Sequence, residues 1–404
     1  MTSITDPPQG SFRLSMLIND TRYRSYTFQF IALLALIAFM AFLGMNLVRN
    51  LAAAGLNISF DFLQDPAGYD INQRPIEYDS RSSNLRAAIV GVLNTLIVAF
   101  LACVTATIFG VIAGVLRLSN NWVVSKLMAI YVEIFRNVPV LIWIIIIFSI
   151  MTVSMPSPRA FRGDDPSSSM LFDAFAFTNR GVYVPAPVLD SGGWFVIAVF
   201  ILSIIGIFAY RRYATKKLYA TGQLLPTFWP SVALFFIPTL LFYFILGRPI
   251  TLEYPELSGF NFQGGITLRG SLIALWFALA IYTGAFIAEN VRAGIQAISK
   301  GQTEAAASLG LRPGRIMNLV VLPQALRVII PPLISQYLNI TKNSSLAIAV
   351  GYMDVTATLG GITLNQTGRA IEAILLLMLF YLTISLLISA GMNVYNNSVK
   401  LKER

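Results

Sequence analysis

Eight runs of apolar residues, each close to the length that carries an α-helix across a lipid bilayer, leave this chain few folds to choose from. They cover residues 28–48, 87–116, 127–153, 194–210, 228–246, 271–291, 316–340 and 370–395. A hydrocarbon layer about 30 Å thick needs roughly 20 helical residues. Inside it every backbone N–H and C=O must find its partner within the segment, which leaves helices or closed barrels. Runs this long predict an all-α polytopic membrane protein of about eight transmembrane helices. The seventh run is the hardest to sustain as one helix, because Pro323, Pro331 and Pro332 interrupt it. The first is too long for the apolar part of a signal peptide and has no small-residue cleavage site behind it, so it reads as a retained anchor. Composition agrees: 56% of the 404 residues are hydrophobic and only 12% charged.

The net charge of +10 does not point to nucleic acid, because the basic residues lie between apolar runs and form no contiguous patch. They report orientation instead. Arg13, Arg22 and Arg24, then Arg117 and Lys126, Arg211, Arg212, Lys216 and Lys217, Lys300, Arg312 and Arg315, and finally Lys400, Lys402 and Arg404 all fall on one side of an eight-span chain. That side is expected to be cytoplasmic, with both termini inside. Most acids, from Asp61 and Glu77 to Asp164, Asp165 and Glu256, fall on the other. The organisation expected is a cytoplasmic tail (1–27), a first helix (28–48), a periplasmic loop (49–86), two helices (87–153), a long insertion with two further helices (154–268), the remaining helices (269–396) and a short tail (397–404). The outer segments are expected either to contact a partner or to be tolerated insertions.

Chemistry is sparsely equipped. Histidine is absent and Cys103 is the single cysteine, which removes imidazole bases, triads, disulfides and thiolate or histidine metal clusters. No G-x-x-x-x-G-K-[ST] phosphate loop occurs, so an ATP site is not expected in this chain.

Residues 300–323 carry the most specific pattern. Lys300-Gly301-Gln302-Thr303-Glu304-Ala305-Ala306-Ala307-Ser308-Leu309-Gly310-Leu311 reads as a short helix, with Thr303 as N-cap, Glu304 in the first turn and Gly310 as a left-handed stop. Its small side chains would let another protein's groove approach the backbone. Glu304-Ala305-Ala306, Gly310 and Leu322-Pro323 resemble the EAA signature (EAA-x3-G-x9-I-x-L-P) of bacterial ABC importer permeases, with Val320 at the isoleucine place. The resemblance implies that this segment is a coupling helix docked in a cleft of an ATPase subunit, with Gly301, Thr303, Glu304, Ala305, Ala306, Ser308, Leu309, Gly310, Leu311 and Pro323 as coupling residues. Tyr131-Val132-Glu133-Ile134-Phe135-Arg136-Asn137-Val138-Pro139, Ala288-Glu289-Asn290-Val291-Arg292-Ala293-Gly294 and Lys342-Asn343-Ser344-Ser345-Leu346 look like recurring segments of the polar amino-acid subfamily. That likeness covers the second, third, sixth, seventh and eighth runs, the five-helix type I importer core. The first run and the fourth–fifth pair are additions. Together with the length, the pattern is similar to the larger permease subunit of general L-amino acid transporters. It implies broad L-amino acid specificity, two copies of an ATPase subunit holding ATP and Mg²⁺, a homologous second permease and a periplasmic amino-acid-binding protein.

Ionisable residues within or beside the runs are candidate pathway groups, since an unpaired charge in lipid costs at least a few kcal/mol. Glu133 and Arg136, three apart on a helix, either pair with each other or meet the charged ends of a zwitterion. Glu289 repeats this logic with Arg292, as a substrate acceptor or a gate contact. Lys342, Asn343 and Ser344 either line a cavity or form an outer turn with a solvated lysine. Ion-coupled secondary transport is the competing function. A membrane enzyme is disfavoured by the missing nucleophile–base pairs.

Overall fold

In the computed structural model, which describes residues 16–53, 55, 57–163 and 166–399, the apolar runs fold as helices that turn small residues inward and large ones outward. Arg13, Asp164, Asp165, Lys400, Lys402 and Arg404, and with them much of both expected tails, lie outside the described residues. The chain forms two compact units, Met1–Asp61 and Phe62–Arg404.

The first unit is built on α1 (Thr21–Ala53), which starts earlier and ends later than the 28–48 run. Its 33 residues reach about 50 Å. Phe28, Ile31, Leu34, Phe39 and Leu43 are exposed around the helix, a surface that suits lipid on every side.

In the second unit, residues 62–83 fold back as a cap and do not trail as a loop. Ala67, Ile71 and Tyr78 are buried against Ala87 and Val90 at the start of α2 (Asn84–Leu116). The Tyr78 hydroxyl donates to the Tyr69 carbonyl at 2.7 Å, and burial raises the phenol's pKa. Asp79 is held below the usual carboxylate range, first by the Ser82 hydroxyl and then by the backbone N–H groups of Ser82 and Arg81.

Helix α3 (Trp122–Asn137) and helix α4 (Val140–Ser154) correct the expectation of one straight span over 127–153, because they meet at 105°. Pro139 explains the break. Its ring forces Val138 into extended backbone (φ −110°, ψ 132°), and it offers no N–H to continue α3. Phe135 stacks on Trp143 across the corner, with centroids 4.3 Å apart.

Among the described residues, seven short strands accompany the helices: β1 (Ala176–Thr178), β2 (Gly181–Val184), β3 (Ala186–Leu189), β4 (Ile250–Glu253), β5 (Glu256–Ser258), β6 (Asn261–Gln263) and β7 (Ile266–Arg269). They pair antiparallel as β1–β2–β7, β3–β4 and β5–β6. Between β3 and β4 the chain runs out through α5 (Gly193–Thr221) and back through α6 (Phe228–Ile245), which pack chiefly on each other. The β3–β4 ladder thus closes the base of a helical hairpin.

The centre is α7 (Gly270–Gln296), which packs against α2, α3, α4 and α9 (Leu322–Asn343). Ala99, Ala102, Ala106 and Ala113 of α2 face Ala278, Ala285 and Ala288 of α7, while Phe100, Ile108 and Ile112 point outward. A Cβ at Gly110 would overlap Ile287, and one at Gly114 would lie 2.7 Å from the Ala288 carbonyl. Lipid gives two helices no hydrophobic reason to associate, so this close fit of small residues sets the seam.

Helix α8 (Lys300–Ser308) links α7 to the seventh run. There the chain stays helical through its prolines. A π turn (Met317–Val321) widens the helix just before Pro323, and Pro331 and Pro332 stand inside α9 beside buried Ile329 and Ile330. Residues 344–369 then turn back through short 3-10 and π segments before α10 (Ala370–Val399). Among the described residues, seven helices are long and apolar enough to cross a membrane, and the bent α3–α4 pair makes an eighth.

Candidate functional site

Helix α8 leaves α7 after only a short turn, so it begins sooner than the sequence reading places it. Ser299, in extended backbone (φ −61°, ψ 140°), occupies the N-cap position assigned above to Thr303. Thr303 therefore lies inside the helix, and Glu304 lies beyond the first turn, where the helix dipole adds little. The C-terminal stop matches the expectation: Gly310 has φ +76°.

Only Ala306 of α8 is buried. It packs with Ile316 and Val321, flanked by Ile295, Ile298, Leu311 and Val320 of the same chain. This corrects the idea that Ala306 lies open to a partner's groove. A helix with a 3.6-residue period needs one small residue against its own bundle, and Ala306 fills that place. Gly301, Thr303, Glu304, Ala305, Ser308 and Leu309 are exposed, Leu309 at 80%. Pro323 is half-buried in the first turn of α9. The result is a short helix pinned at one point and presenting the rest of its surface outward.

Just above α8 lies a charge cluster from three helices. Glu289 of α7 takes Arg117, at the end of α2, on one carboxylate oxygen and Arg292 on both. Arg292 also donates to the Gln296 amide oxygen at 2.5 Å. Glu133 of α3 lies 3.8 Å from the second Arg117 nitrogen. Arg136 stands over the Phe286 ring, 5.1 Å from its centroid, and not on Glu133. The i, i+3 pairing thus holds for Glu289–Arg292 and fails for Glu133–Arg136, because Arg117 offers Glu133 an alternative. Glu289 is neutralised by two arginines, so the arrangement favours a latch between α2, α3 and α7 over a free substrate acceptor.

The six candidate pathway residues do not converge. Glu133, Arg136 and Glu289 gather near the α8 end, where Gly294 of α7 meets Ala325 and Ile329. Lys342, Asn343 and Ser344 lie at the far end of α9, about 25 Å along a helix of 1.5 Å rise. Lys342 is exposed, Asn343 half-buried, and buried Ser344 donates to the Thr341 carbonyl at 2.7 Å. Exposure of Lys342 fits both readings above, a residue lining a cavity and a solvated lysine at an outer turn.

Sequence reasoning missed the polar ladder that holds the returning segment 344–369 against α2. Asn94 donates to the carbonyls of Gln73 (3.0 Å) and Met353 (2.9 Å), and its own carbonyl accepts from the Tyr352 hydroxyl (2.9 Å). The Val355 N–H donates to Thr95 Oγ1, and fully buried Asp354 caps the next turn by accepting from the Ala357 N–H at 2.9 Å. Irregular backbone is tolerated at this depth because side chains complete its hydrogen bonds. The available signal was Asn94-Thr95, a polar pair inside an apolar run.

Helices packed around a small-residue seam, a returning segment and an outward-facing helix between α7 and α9 define a polytopic membrane protein. A family profile, "Binding-protein-dependent transport system inner membrane component", matches residues 216–400. The chain is 51% identical to the glutamate/glutamine/aspartate/asparagine transport system permease protein BztB of Rhodobacter capsulatus, over 100% of both chains. It is 42% identical to the general L-amino acid transport system permease protein AapQ of Rhizobium johnstonii, covering 99% of this chain and 98% of that one. It is also 44% identical to the putative amino-acid ABC transporter permease protein YhdX of Escherichia coli, covering 96% and 98%. The chain belongs to the amino-acid ABC transporter permeases.

Proposed function

We propose that this chain forms one half of the transmembrane pathway of an L-amino acid importer of broad specificity, with both termini in the cytoplasm. Its energy comes from two copies of a separate ATPase subunit that hold ATP and Mg²⁺. A homologous second permease completes the pathway, and a periplasmic amino-acid-binding protein delivers the cargo. Acidic amino acids and their amides are the first cargo to test, because BztB is named for them.

The observation that carries this reading is the exposure of α8. Pinned by Ala306 and stopped at Gly310, it presents Glu304, Ala305, Ser308 and Leu309 to a partner while remaining tied to α7 and α9. Closure of the ATPase pair would push α8, and α7 and α9 would carry the push to the seam. The Arg117–Glu289–Arg292 cluster lies on that route and would release or lock α3. Uptake into proteoliposomes that hold this chain, its second permease and the ATPase, with the binding protein supplied, is expected to require ATP. Uptake by the permeases alone, driven by an ion gradient, would replace this reading with secondary transport. Disulfide capture of Leu309→Cys by a cysteine in the ATPase cleft is expected in the coupled complex.

A further inference from the structure

A cavity of about 490 Å³ lies at the β-sheet end of the second unit, lined by Asn72, Arg180, Tyr183, Asn261, Thr267 and Arg269. It is far from α8, since α7 starts directly after Arg269 and runs for 27 residues before α8 begins. We infer that this cavity is a carboxylate-binding site.

The β2–β7 ladder builds it. Register pairs Gly181 with Arg269 and Tyr183 with Thr267, so alternate residues put Arg269, Thr267 and Tyr183 on one face of the sheet. Gly181, at φ +142°, lets the strands close there, because a Cβ would collide with the Leu268 carbonyl oxygen. Asn72 comes from the folded cap. Its neighbour Gln73 is fastened below by Asn94, through the Gln73 carbonyl, and by the Ser271 hydroxyl, to which Gln73 Nε2 donates at 3.3 Å. The cap beside the cavity is therefore tied to the third turn of α2, at Asn94, and to the first turn of α7, at Ser271.

Its chemistry favours anions. Two guanidiniums line it, and no acid stands among its described lining residues. Arg180 donates from one nitrogen to the Phe260 carbonyl at 3.1 Å, which fixes the side chain and leaves other N–H groups of its fork free. Arg269 makes no ion pair among the described residues and stands at the N-cap of α7, where the helix dipole adds positive potential. The Tyr183 hydroxyl donates to Asn261 Oδ1 at 2.7 Å, so the amide's oxygen is engaged and its NH₂ group is left to donate. Planar guanidinium forks and amide N–H groups match a carboxylate. The volume exceeds that of a single amino acid and falls in the range of small-molecule sites.

Two sources could supply the carboxylate: a free amino acid, or an acidic side chain of the protein that delivers it. The second source rests on the importer reading; binding of the free solute does not. The complete transporter in nanodiscs, without ATP, would be titrated with radiolabelled L-glutamate and separately with its soluble binding protein. Glutarate should compete with L-glutamate, and glutaramide, of the same length without charge, should not. Arg269→Gln should weaken binding tenfold or more. Asn261→Asp keeps an acceptor for Tyr183 but places a carboxylate beside the arginines, and should do the same. A loss confined to L-glutamate assigns the site to the solute. A loss confined to the binding protein, together with a weaker salt dependence, assigns it to the protein's side chain. Unchanged affinity for both ligands in either variant overturns the inference. Parent complexes that lack ATP-driven uptake would instead overturn the importer reading, which separates the two failures.

Discussion

Helix α7 and the α5–α6 hairpin are made from comparably apolar residues, yet in an apolar stretch of 18 residues from each helix 67% of α7 is buried within the chain, against 17% of α5 and 6% of α6. Apolarity alone puts a helix into lipid; it does not say what the helix will touch. Helix α7 offers Ala274, Ala278, Gly284, Ala285 and Ala288 to its neighbours, so backbones approach closely; its Ile287 and Val291 lie against Gly110 and Gly114 of α2, and Ile329 of α9 lies against its Gly294. The hairpin presents Phe195, Ile201, Ile205 and Phe208 on α5, and Phe236, Ile237 and Leu241 on α6, all exposed. One region is a tightly packed seam whose fit must be kept. The other is an appendage closed at its base by the β3–β4 ladder.

The largest effect should come from a glycine swap made in both regions. Gly110→Leu drives a side chain into Ile287 and the Gly284 carbonyl, whereas nothing lies within 4 Å of the Cβ position at Gly206 in α5. Overpacking costs about 1–3 kcal/mol, and more where backbone must yield. Gly110→Leu should reduce the monodisperse protein recovered from membranes at least tenfold, and Gly206→Leu should match the parent. Equal recovery would erase the distinction between seam and appendage.

Next comes the charge cluster. Glu289→Gln leaves Arg117 and Arg292 without their shared carboxylate. Breaking a fully buried pair costs about 3–5 kcal/mol; with 23% of the Glu289 side chain exposed, about 2 kcal/mol is expected here. Thermal unfolding in detergent should show the loss, and Arg117→Gln added to Glu289→Gln should recover part of it. Arg211→Gln, on an exposed residue of α5 that reaches only the Ser231 hydroxyl, should change stability by less than about 0.5 kcal/mol.

Variants of α8 should separate folding from coupling. Leu309→Ser removes an exposed side chain, so membrane levels should stay normal while ATP-driven uptake falls tenfold or more. Gly310→Val forces a branched residue to φ +76°, a local strain of about 1–3 kcal/mol, and should uncouple ATP hydrolysis with little change in insertion. Ala306→Trp would collide with Ile316 and Val321, so it should unseat α8 even without the ATPase; limited proteolysis of the isolated chain would show it. A protected α8 in that variant would contradict the packing described here.

The smallest perturbation reports orientation alone. Ser299→Cys and Ser80→Cys both replace exposed residues. An impermeant thiol reagent applied outside intact cells should label the second and spare the first. Outside labelling at residue 299 would invert the proposed topology and remove α8 from reach of an ATPase.

Much of the fold was legible because lipid enforces a simple code. Runs of about 20 apolar residues become helices, and the EAA-like spacing marks one short helix between two of them. The parts that escaped share a physical cause. Strands of three or four residues, such as β1 and β6, are too short to show a period of two. The 127–153 run reads as one span despite Pro139, and its 105° corner, across which Phe135 meets Trp143, shows only in the fold. Arg117 read only as a marker of membrane side, since no local rule brings it to Glu289, 172 residues later.

What the sequence by itself determined is therefore the helical class, the span count, the absence of a phosphate loop and the place of the outward-facing helix. These follow from composition, run length and short-range spacing, which act within a few turns of chain. Tertiary structure alone decided that Ala306 faces its own subunit, that Glu133 turns from Arg136 to Arg117, and that Arg180 and Arg269 share a cavity. Each depends on which helix or strand lies alongside. In lipid that choice rests on shape complementarity and hydrogen bonding between distant segments, and no local pattern of residues encodes either one.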